Sequence, residues 1–150
     1  METGGAGTAL LEIFDLESGL GPALLNTSTR GRAGIGDDVL IGGFIVGRPG
    51  GSANLRVAVR AIGPSLASHG LAETLQNPTL SLFDQNGVEI ALNDNWQQTQ
   101  EAEIRGTGIP PTDALEAAIV RELPPGPYTA IVRGVNGSTG VALIEVYALE

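Results

Sequence analysis

The sequence lacks cysteine and lysine, and each absence removes a class of function. Without cysteine the chain has no disulfide, no thiol nucleophile and no thiolate ligand for a metal. All eight basic residues are arginine, and the net charge is −9. Nucleic acid and anionic lipid both bind cationic faces, so we expect neither as a partner. We also expect no membrane insertion, because no apolar run approaches the roughly 20 residues of a spanning helix.

Aromatic residues are scarce as well, at one Trp, two Tyr and three Phe. This scarcity disfavours a carbohydrate-binding domain that exposes a pair of stacked rings. A carbohydrate- or ligand-binding accessory domain of a secreted enzyme stays open as the second interpretation, with Trp96 as its test residue. The position of Trp96 directly after Asn-Asp-Asn favours instead a buried lid at the end of a sheet.

Short β-rich runs, separated by glycine and proline, dominate the rest of the sequence. The 22 Gly and nine Pro punctuate apolar runs that are too short for helices. About nine strands, with a turn every 8–12 residues or so, are typical of an all-β fold. We therefore expect an antiparallel β-sandwich, jelly-roll-like, with one or two short helical turns.

Three stretches predict particular features of that sandwich. The strict alternation of Leu55–Gly63 predicts a strand with one buried face. Asn86-Gly87, between two apolar runs, predicts a hairpin that extends from Pro78 to Trp96. The apolar run Asp38–Gly47 is divided by Gly42-Gly43, which indicates a bulge or a bend.

The last third of the chain predicts further strands. After a polar stretch, the sequence predicts a helical turn and then a strand, Ala117–Leu123, although one continuous helix stays open. We expect a second hairpin at the C-terminus. Its first strand places Tyr128, Ala130 and Val132 on one face, and its second strand is Val141–Leu149.

Three arginines, Arg56, Arg60 and Arg133, are expected on strands. There they can pair across strands with acidic neighbours such as Glu12 or Glu145. Pairs of this kind usually lie on a solvated face.

The first and last predicted strands are near-copies of each other. Gly7–Glu17 reads GTALLEIFDLE, and Gly140–Glu150 reads GVALIEVYALE, at an offset of 133 residues. Six of the eleven positions are identical, and four more are close in shape. Strands resemble one another in general, but strand composition alone does not require the same flanking glycine and the same polar glutamate.

Two interpretations of this match stay open. In the first, the protein is a tandem array with a period near 133 residues, and residues 1–17 end the preceding unit. In the second, the first strand is a donor that pairs with a sheet edge, or fills the last-strand position, in a neighbouring copy. Both divide the chain into residues 1–17, a linker or donor strand, and residues 18–150, the β-sandwich domain. The residues expected to carry self-association are Thr8, Ala9, Leu10, Leu11, Glu12, Ile13, Phe14 and Leu16.

Patterns for catalysis are weak. The single histidine is His69, and without cysteine any nucleophile–base pair would have to use it. No Gly-x-Ser-x-Gly motif surrounds a serine. We expect His69 to serve in a turn or cap, and we expect no enzymatic activity.

Calcium is the one cofactor that the sequence suggests. Residues 83–96 contain four oxygen-bearing candidate ligands, Asp84, Asn86, Asp94 and Asn95. Oxygen ligands on loops suit Ca²⁺. The later acidic ligands of a calcium loop are missing, however, and Asp and Asn also build turns by bonding to their own backbone.

Over nearly all of Leu24–Leu149 the sequence resembles a β-sandwich repeat of large exported bacterial proteins. The phrases STRG, IGGFIV, RAIGPSL, NDNW and PGPYTAIVRG carry this resemblance. The second half, residues 77–149, is also similar to the bacterial pre-peptidase C-terminal domain through PTLSLFDQNG and GPYT. The resemblance implies a secreted or cell-surface bacterial module without catalytic residues, in some members with Ca²⁺. We therefore expect a structural component of a fibre, an adhesin or the cell envelope, whose partners are its own copies or neighbouring repeats.

Overall fold

The computed structural model describes residues 26–47 and 52–149, and these residues form an antiparallel β-sandwich of eight strands. The predicted fold class is confirmed. The predicted first strand, Thr8–Leu16, lies outside the described residues. The strands are β1 Asn26–Ala33, β2 Leu40–Val46, β3 Leu55–Ile62, β4 Pro78–Phe83, β5 Glu89–Asn93, β6 Ala117–Leu123, β7 Gly126–Gly134 and β8 Gly140–Leu149.

The strands form two four-stranded sheets. Sheet A has the order β1-β8-β3-β6, and sheet B has the order β2-β7-β4-β5. Apart from the β4–β5 hairpin, each connection between described strands crosses from one sheet to the other. As a result β8, the last strand in the sequence, lies inside sheet A between β1 and β3.

The main core lies between the sheets and follows the alternation of each strand. In β7 the inward residues Tyr128, Ala130 and Val132 are buried, as the sequence predicted. Leu80 and Leu82 of β4 oppose them from the neighbouring strand and are fully buried. Burial of such apolar area, at about 25 cal/mol per Å², is what stabilises a sandwich of this size.

A second hydrophobic cluster lies on the outer face of sheet A. Ala58 of β3 and Ala118 and Val120 of β6 pack there against Trp96 and Ile104. Trp96 and Ile104 come from the segment between β5 and β6, which contains the short helix α1, Glu101–Gly106. Within the described ranges no helix has the length and hydropathy to cross a membrane.

Two predictions about single strands were wrong. β3 is buried on both faces rather than one, because Ala58 lies under the second cluster. β2 has no bulge at Gly42-Gly43 and pairs with β7 in a continuous register. Gly42 instead allows the sheets to approach, since a Cβ there would lie 3.0 Å from Ile144 Cγ2.

The predicted C-terminal hairpin was also wrong. β7 and β8 belong to different sheets, and a 3-10 turn at Val135–Gly137 carries the chain across. β6 begins at Ala117 as predicted. The helix α1 was not predicted; its local signal is the pair Glu101 and Arg105, four residues apart and in contact at 2.7 Å.

Candidate functional site

The strand β8 is the described counterpart of the residues predicted to self-associate. Thr8–Leu16 themselves lie outside the described residues, but the offset of 133 gives each of them a counterpart in Gly140–Glu150. We define the β8 slot as the position between β1 and β3 that Gly140–Leu149 occupies. The contacts of β8 show which residue types this slot accepts.

At its first residue the slot requires glycine. The Val141 N–H donates to the Glu73 carbonyl at 2.8 Å, and the Leu75 N–H donates to the Val141 carbonyl at 2.8 Å. These bonds hold the backbone of residues 73–75 directly against Gly140. A Cβ on Gly140 would lie 2.5 Å from the Leu75 nitrogen and 2.7 Å from its Cα. Backbone atoms cannot move aside cheaply, so a side chain does not fit here.

On its inner face the slot requires small or apolar side chains. Ala142 is 0% exposed and Ile144 is 2% exposed, both within the main core. Ile144 also contacts the position of Gly42 on the facing sheet. A larger residue in place of Ala142 would overpack the core, at a cost of roughly 1–3 kcal/mol.

On its outer face the slot requires a carboxylate. Glu145 lies opposite Arg60 of β3, and the Arg60 Nε–H donates to Glu145 Oε2 at 3.0 Å. The Arg60 Nη2–H donates to the same oxygen, and Nη1–H donates to the Ile109 carbonyl at 2.7 Å. The two side chains are only 16% and 13% exposed. Loss of the carboxylate would leave the Arg60 charge largely out of water, which is costly.

Tyr147 completes this charged group. Its hydroxyl donates to Glu145 Oε1 at 2.9 Å, and the Arg60 guanidinium lies 5.1 Å from the centre of its ring. Burial raises the pKa of the Tyr147 hydroxyl, the hydrogen bond to Glu145 raises it further, and the Arg60 charge lowers it in part. A phenylalanine here would keep the contact between ring and guanidinium but lose the hydrogen bond to Glu145 and the one that the hydroxyl accepts from Arg60 Nη2 at 3.2 Å.

Two of the predicted calcium ligands, Asp84 and Asn86, serve in the β4–β5 turn. Asp84 Oδ1 accepts from the N–H groups of Asn86 and Val88 at 2.8 and 2.9 Å, and Gly87 closes the turn with a φ of 74°. The Val88 N–H has the largest effect in lowering the pKa of Asp84. Backbone donors therefore occupy Oδ1, the carboxylate oxygen nearest the turn.

The other two predicted ligands, Asp94 and Asn95, follow β5 and so lie at its opposite end. The structure therefore does not bring the four candidates together. The Oδ1 atoms of Asp94 and Asn95 are buried without a hydrogen-bond partner, as is that of Asn77, which precedes β4. Within residues 26–47 and 52–149 no group of three or more His, Cys, Asp or Glu side chains is arranged to hold a metal ion.

The region around His69, the histidine considered for catalysis, contains hydrogen bonds that hold the fold together. His69 is exposed at the end of the 3-10 helix Pro64–His69. The nearby Ser65 Oγ–H donates to Glu116 at 2.5 Å rather than to a histidine. Glu116 is 0% exposed and also accepts from the N–H groups of Gly63 and Ser65 at 3.1 and 3.0 Å. This carboxylate joins the loop after β3 to the start of β6, a link between distant segments that was not predicted.

Trp96 is buried at 4% exposure, as its position after Asn-Asp-Asn predicted. Its Nε1–H donates to the Asp113 carbonyl at 3.0 Å, and Arg105 lies 4.8 Å above its ring. The indole therefore has no free face for a sugar ring in this structure.

Comparisons with known proteins add a structural similarity. No protein-family model and no curated protein matches the chain. Among solved structures, the chain is similar to the pre-peptidase C-terminal domain of a collagenase from Bacillus anthracis, determined at 1.0 Å. The two are 15% identical with a TM-score of 0.49, over 81% of this chain and 89% of that chain. This is the family to which residues 77–149 were expected to be similar.

Proposed function

We propose that the chain is a non-catalytic structural module of a secreted or cell-surface bacterial protein, which associates with neighbouring units by strand addition. In this proposal, Thr8–Leu16 fill the β8 slot of another unit. That unit is either the preceding repeat of the same polypeptide, which this segment would complete, or a second copy of the chain, whose own β8 the segment would displace. The observation that supports the proposal is the agreement between this segment and the requirements of the slot.

The agreement falls on the positions where the slot is most demanding. Gly7 corresponds to Gly140, where a Cβ would meet the Leu75 backbone. Ala9 corresponds to the fully buried Ala142. Glu12 corresponds to Glu145, which pairs with Arg60. Generic strand composition explains none of these three identities, because glycine, and to a lesser degree glutamate and alanine, are depleted in strands.

Four of the remaining positions fit the same phase. Leu11 and Ile13 correspond to the inward Ile144 and Val146. Phe14 corresponds to Tyr147 and would keep the ring beside Arg60. Leu16 corresponds to Leu149, which packs against the second cluster.

The number of slots explains why the partner is another unit. One unit has one β8 slot, and its own β8 fills that slot. A second strand with the same features is surplus within the unit. In strand addition the main chain supplies affinity and alternate side chains supply specificity, and this segment offers both to a neighbour.

Electron microscopy and light scattering of the full chain test the proposal. We expect oligomers or filaments that grow with concentration, and their loss in a variant that begins at Gly19. A strictly monomeric particle at every concentration would contradict strand addition between separate chains.

A charge reversal distinguishes specific binding in the β8 slot from non-specific association. Glu12→Lys places a cation against Arg60 of the neighbour, and we expect it to abolish association. Glu2→Lys makes the same change in net charge outside the matched segment and should leave association intact. Equal behaviour of the two variants would overturn the assignment to the β8 slot.

Calcium binding stays a prediction, now centred on Asp94 and Asn95. The unpartnered Oδ1 atoms of these residues favour them over Asp84, whose Oδ1 the turn already uses. Calorimetric titration up to about 10 mM Ca²⁺ covers the range typical of extracellular modules. We expect binding that Asp94→Ala abolishes and Asp84→Ala retains; no heat of binding in the full chain would refute it.

A further inference from the structure

The four edge strands of the described sheets differ in how they are protected. Exposed edges usually carry charges, bulges or prolines that prevent pairing with another chain. β1 carries Arg30 and Arg32, and β6 carries Arg121 and Glu122. β5 is short, begins with a glutamate and lies beside a register shift. β2 has seven residues, LIGGFIV, without a charge, a proline or a bulge.

The outer side of β2 is also apolar and exposed. Ile41 is 52% exposed and Ile45 is 73% exposed. Across sheet B the row continues from Ile41 through Ile131 and Ser81 to Leu92, which is 59% exposed. A sheet edge that is both uncharged and flanked by exposed isoleucines is a site for pairing with another strand.

The sequence of β2 is complementary to itself in the antiparallel direction. A two-fold axis through Gly43 places Ile41 of one strand opposite Ile45 of the other, and both are outward residues. The same axis pairs Leu40 with Val46, which are both buried on the inner face. All seven residues find a partner on the correct face in this register.

The inner-face pairing also fits by size. Phe44 is partly buried and stacks on Tyr128, with ring centres 5.6 Å apart. The two-fold register sets Phe44 of one strand opposite Gly42 of the other, so the two phenyl rings do not meet. Shifting the register by two residues would place either Phe44 opposite Phe44 or Gly42 opposite Gly42, and would leave two residues of each strand unpaired.

We propose that β2 is a homodimer interface, at which a second copy of this chain pairs antiparallel to β2 about a two-fold axis at Gly43. The pairing joins two sheets B into one continuous eight-stranded sheet, with the isoleucine pairs on its outer face. A second copy is the occupant because β2 is complementary to itself about this axis: each strand meets its own sequence in a matched register, and β2 itself carries no charge. The interface uses described residues alone and does not depend on Thr8–Leu16.

A single cysteine at the axis tests this geometry directly, because the chain has no other cysteine. The nearest atom to a Cβ on Gly43 would be the Tyr128 carbonyl oxygen at 3.9 Å, so the monomer accepts a side chain there. Facing residues of antiparallel strands have Cα atoms roughly 4.5–5.5 Å apart, which is within the range of a disulfide. We expect Gly43→Cys to form a disulfide-linked dimer on mild oxidation. Ser28→Cys, exposed on the arginine-bearing edge β1, is the matched control and should stay monomeric.

Charged variants at the same position test whether the dimer forms without a covalent bond. Gly43→Lys and Gly43→Glu each set like charges opposite each other across the axis, so each alone should sediment as a monomer. An equimolar mixture should restore the dimer through a Lys–Glu pair, which a merely unfolded variant could not do. Circular dichroism checks that both variants keep the β-sandwich.

Other outcomes would overturn the proposal. Equal cross-linking of Gly43→Cys and Ser28→Cys would show random collision. A dimer that survives Gly43→Lys but disappears when the chain begins at Gly19 would assign association to the N-terminal segment instead. A full chain that stays monomeric at millimolar concentration would exclude this interface. That conclusion does not depend on whether the N-terminal segment binds the β8 slot.

Discussion

The outer face of sheet A is covered by the chain itself over β3 and β6, whereas no described segment packs in the same way over the outer face of sheet B. On sheet A, Trp96 and Ile104 pack over Ala58 and the neighbouring β6. On sheet B, Ile41 and Leu92 are more than half exposed at opposite edges of the sheet. The alternation of β3 in sheet A predicted one buried face, yet both of its faces are buried, so alternation alone does not determine whether an outer face is buried.

The two sheets therefore differ in what stabilises them and in what they offer to other molecules. Sheet A contains a nearly buried ion pair, Arg60 with Glu145, and a tryptophan above its outer face. Sheet B presents an uncharged row of side chains that contributes little to the folded monomer. We infer that substitutions on the outer face of sheet A mainly change stability, and that those on sheet B mainly change association.

The largest expected effect comes from removing the cover of sheet A. Trp96→Ala should lower the free energy of unfolding by about 3–5 kcal/mol, because it leaves a cavity over Ala58 and an unpaired Asp113 carbonyl. Guanidinium denaturation measures this loss. The matched control is Leu92→Ala on sheet B, which should stay within about 0.5 kcal/mol because Leu92 is 59% exposed. Similar losses in both variants would erase the distinction between the faces.

A smaller effect is expected from the ion pair of sheet A. Arg60→Ala leaves Glu145 without its cation and should cost about 2–3 kcal/mol, less than a fully buried pair, because both side chains retain some contact with water. Arg32→Ala removes an exposed pair with Glu73, whose side chains are 54% and 74% exposed, and should cost at most about 1 kcal/mol. A double-mutant cycle on Arg60 and Glu145 isolates the pair, and a coupling near zero would disprove its structural role.

Alanine substitutions at two adjacent glycines of β2 compare the inner and outer faces of sheet B through their effects on stability. Gly42→Ala should cost about 1 kcal/mol or more, because its Cβ would lie 3.0 Å from Ile144 Cγ2 in the packed core. Gly43→Ala should be neutral or stabilising by up to about 1 kcal/mol, since its Cβ has room and alanine restricts the unfolded chain. Thermal unfolding of both variants checks the order, and a reversed order would mean that the faces are assigned wrongly.

The sequence predicted features that depend on neighbours along the chain. The Asn86-Gly87 turn, the start of β6 at Ala117 and the alternation of β7 all depend on local patterns, and the structure has each of them. The paired strands of sheet A, the missing bulge at Gly42 and the burial of Ala58 depend on residues far apart in sequence. No local pattern distinguishes a strand that pairs with the next one from a strand that crosses to the facing sheet, which is why β7 and β8 were predicted as a hairpin.

In the candidate site, too, some features were predicted from the sequence and others were not. Arg60 was one of three arginines predicted to pair across strands with an acidic neighbour such as Glu12 or Glu145, and it pairs with Glu145. Its near-burial was not foreseen, because the cover comes from Ile109 and the loop after α1. The need for small residues at Gly140 and Ala142 comes from the backbone of residues 73–75 and from the facing sheet. Both are distant in sequence, so no local pattern predicts it.

The smallest expected effect concerns the pH dependence that Tyr147 adds to sheet A. Its folded pKa lies above the ordinary value of 10.0, because burial and the bond to Glu145 favour the protonated hydroxyl. Below pH 10 the folded and unfolded states both keep the proton. As pH rises through the range between the two pKa values, the unfolded chain loses the proton first, so stability declines. Since the chain has no lysine, few other groups titrate there.

Tyr147→Phe should remove this alkaline decline, while its stability at neutral pH falls slightly through loss of the hydrogen bond to Glu145. Denaturant unfolding at intervals from pH 8 to about 11 measures the free energy of unfolding of the variant and of the unsubstituted chain. Tyr128→Phe, on the inner face of sheet B, is the control, because it leaves Tyr147 and hence the decline in place. A decline that persists in Tyr147→Phe would assign it to another group. The same variant also imitates Phe14, so a folded Tyr147→Phe protein would show that the β8 slot accepts the ring that the N-terminal segment would bring to it.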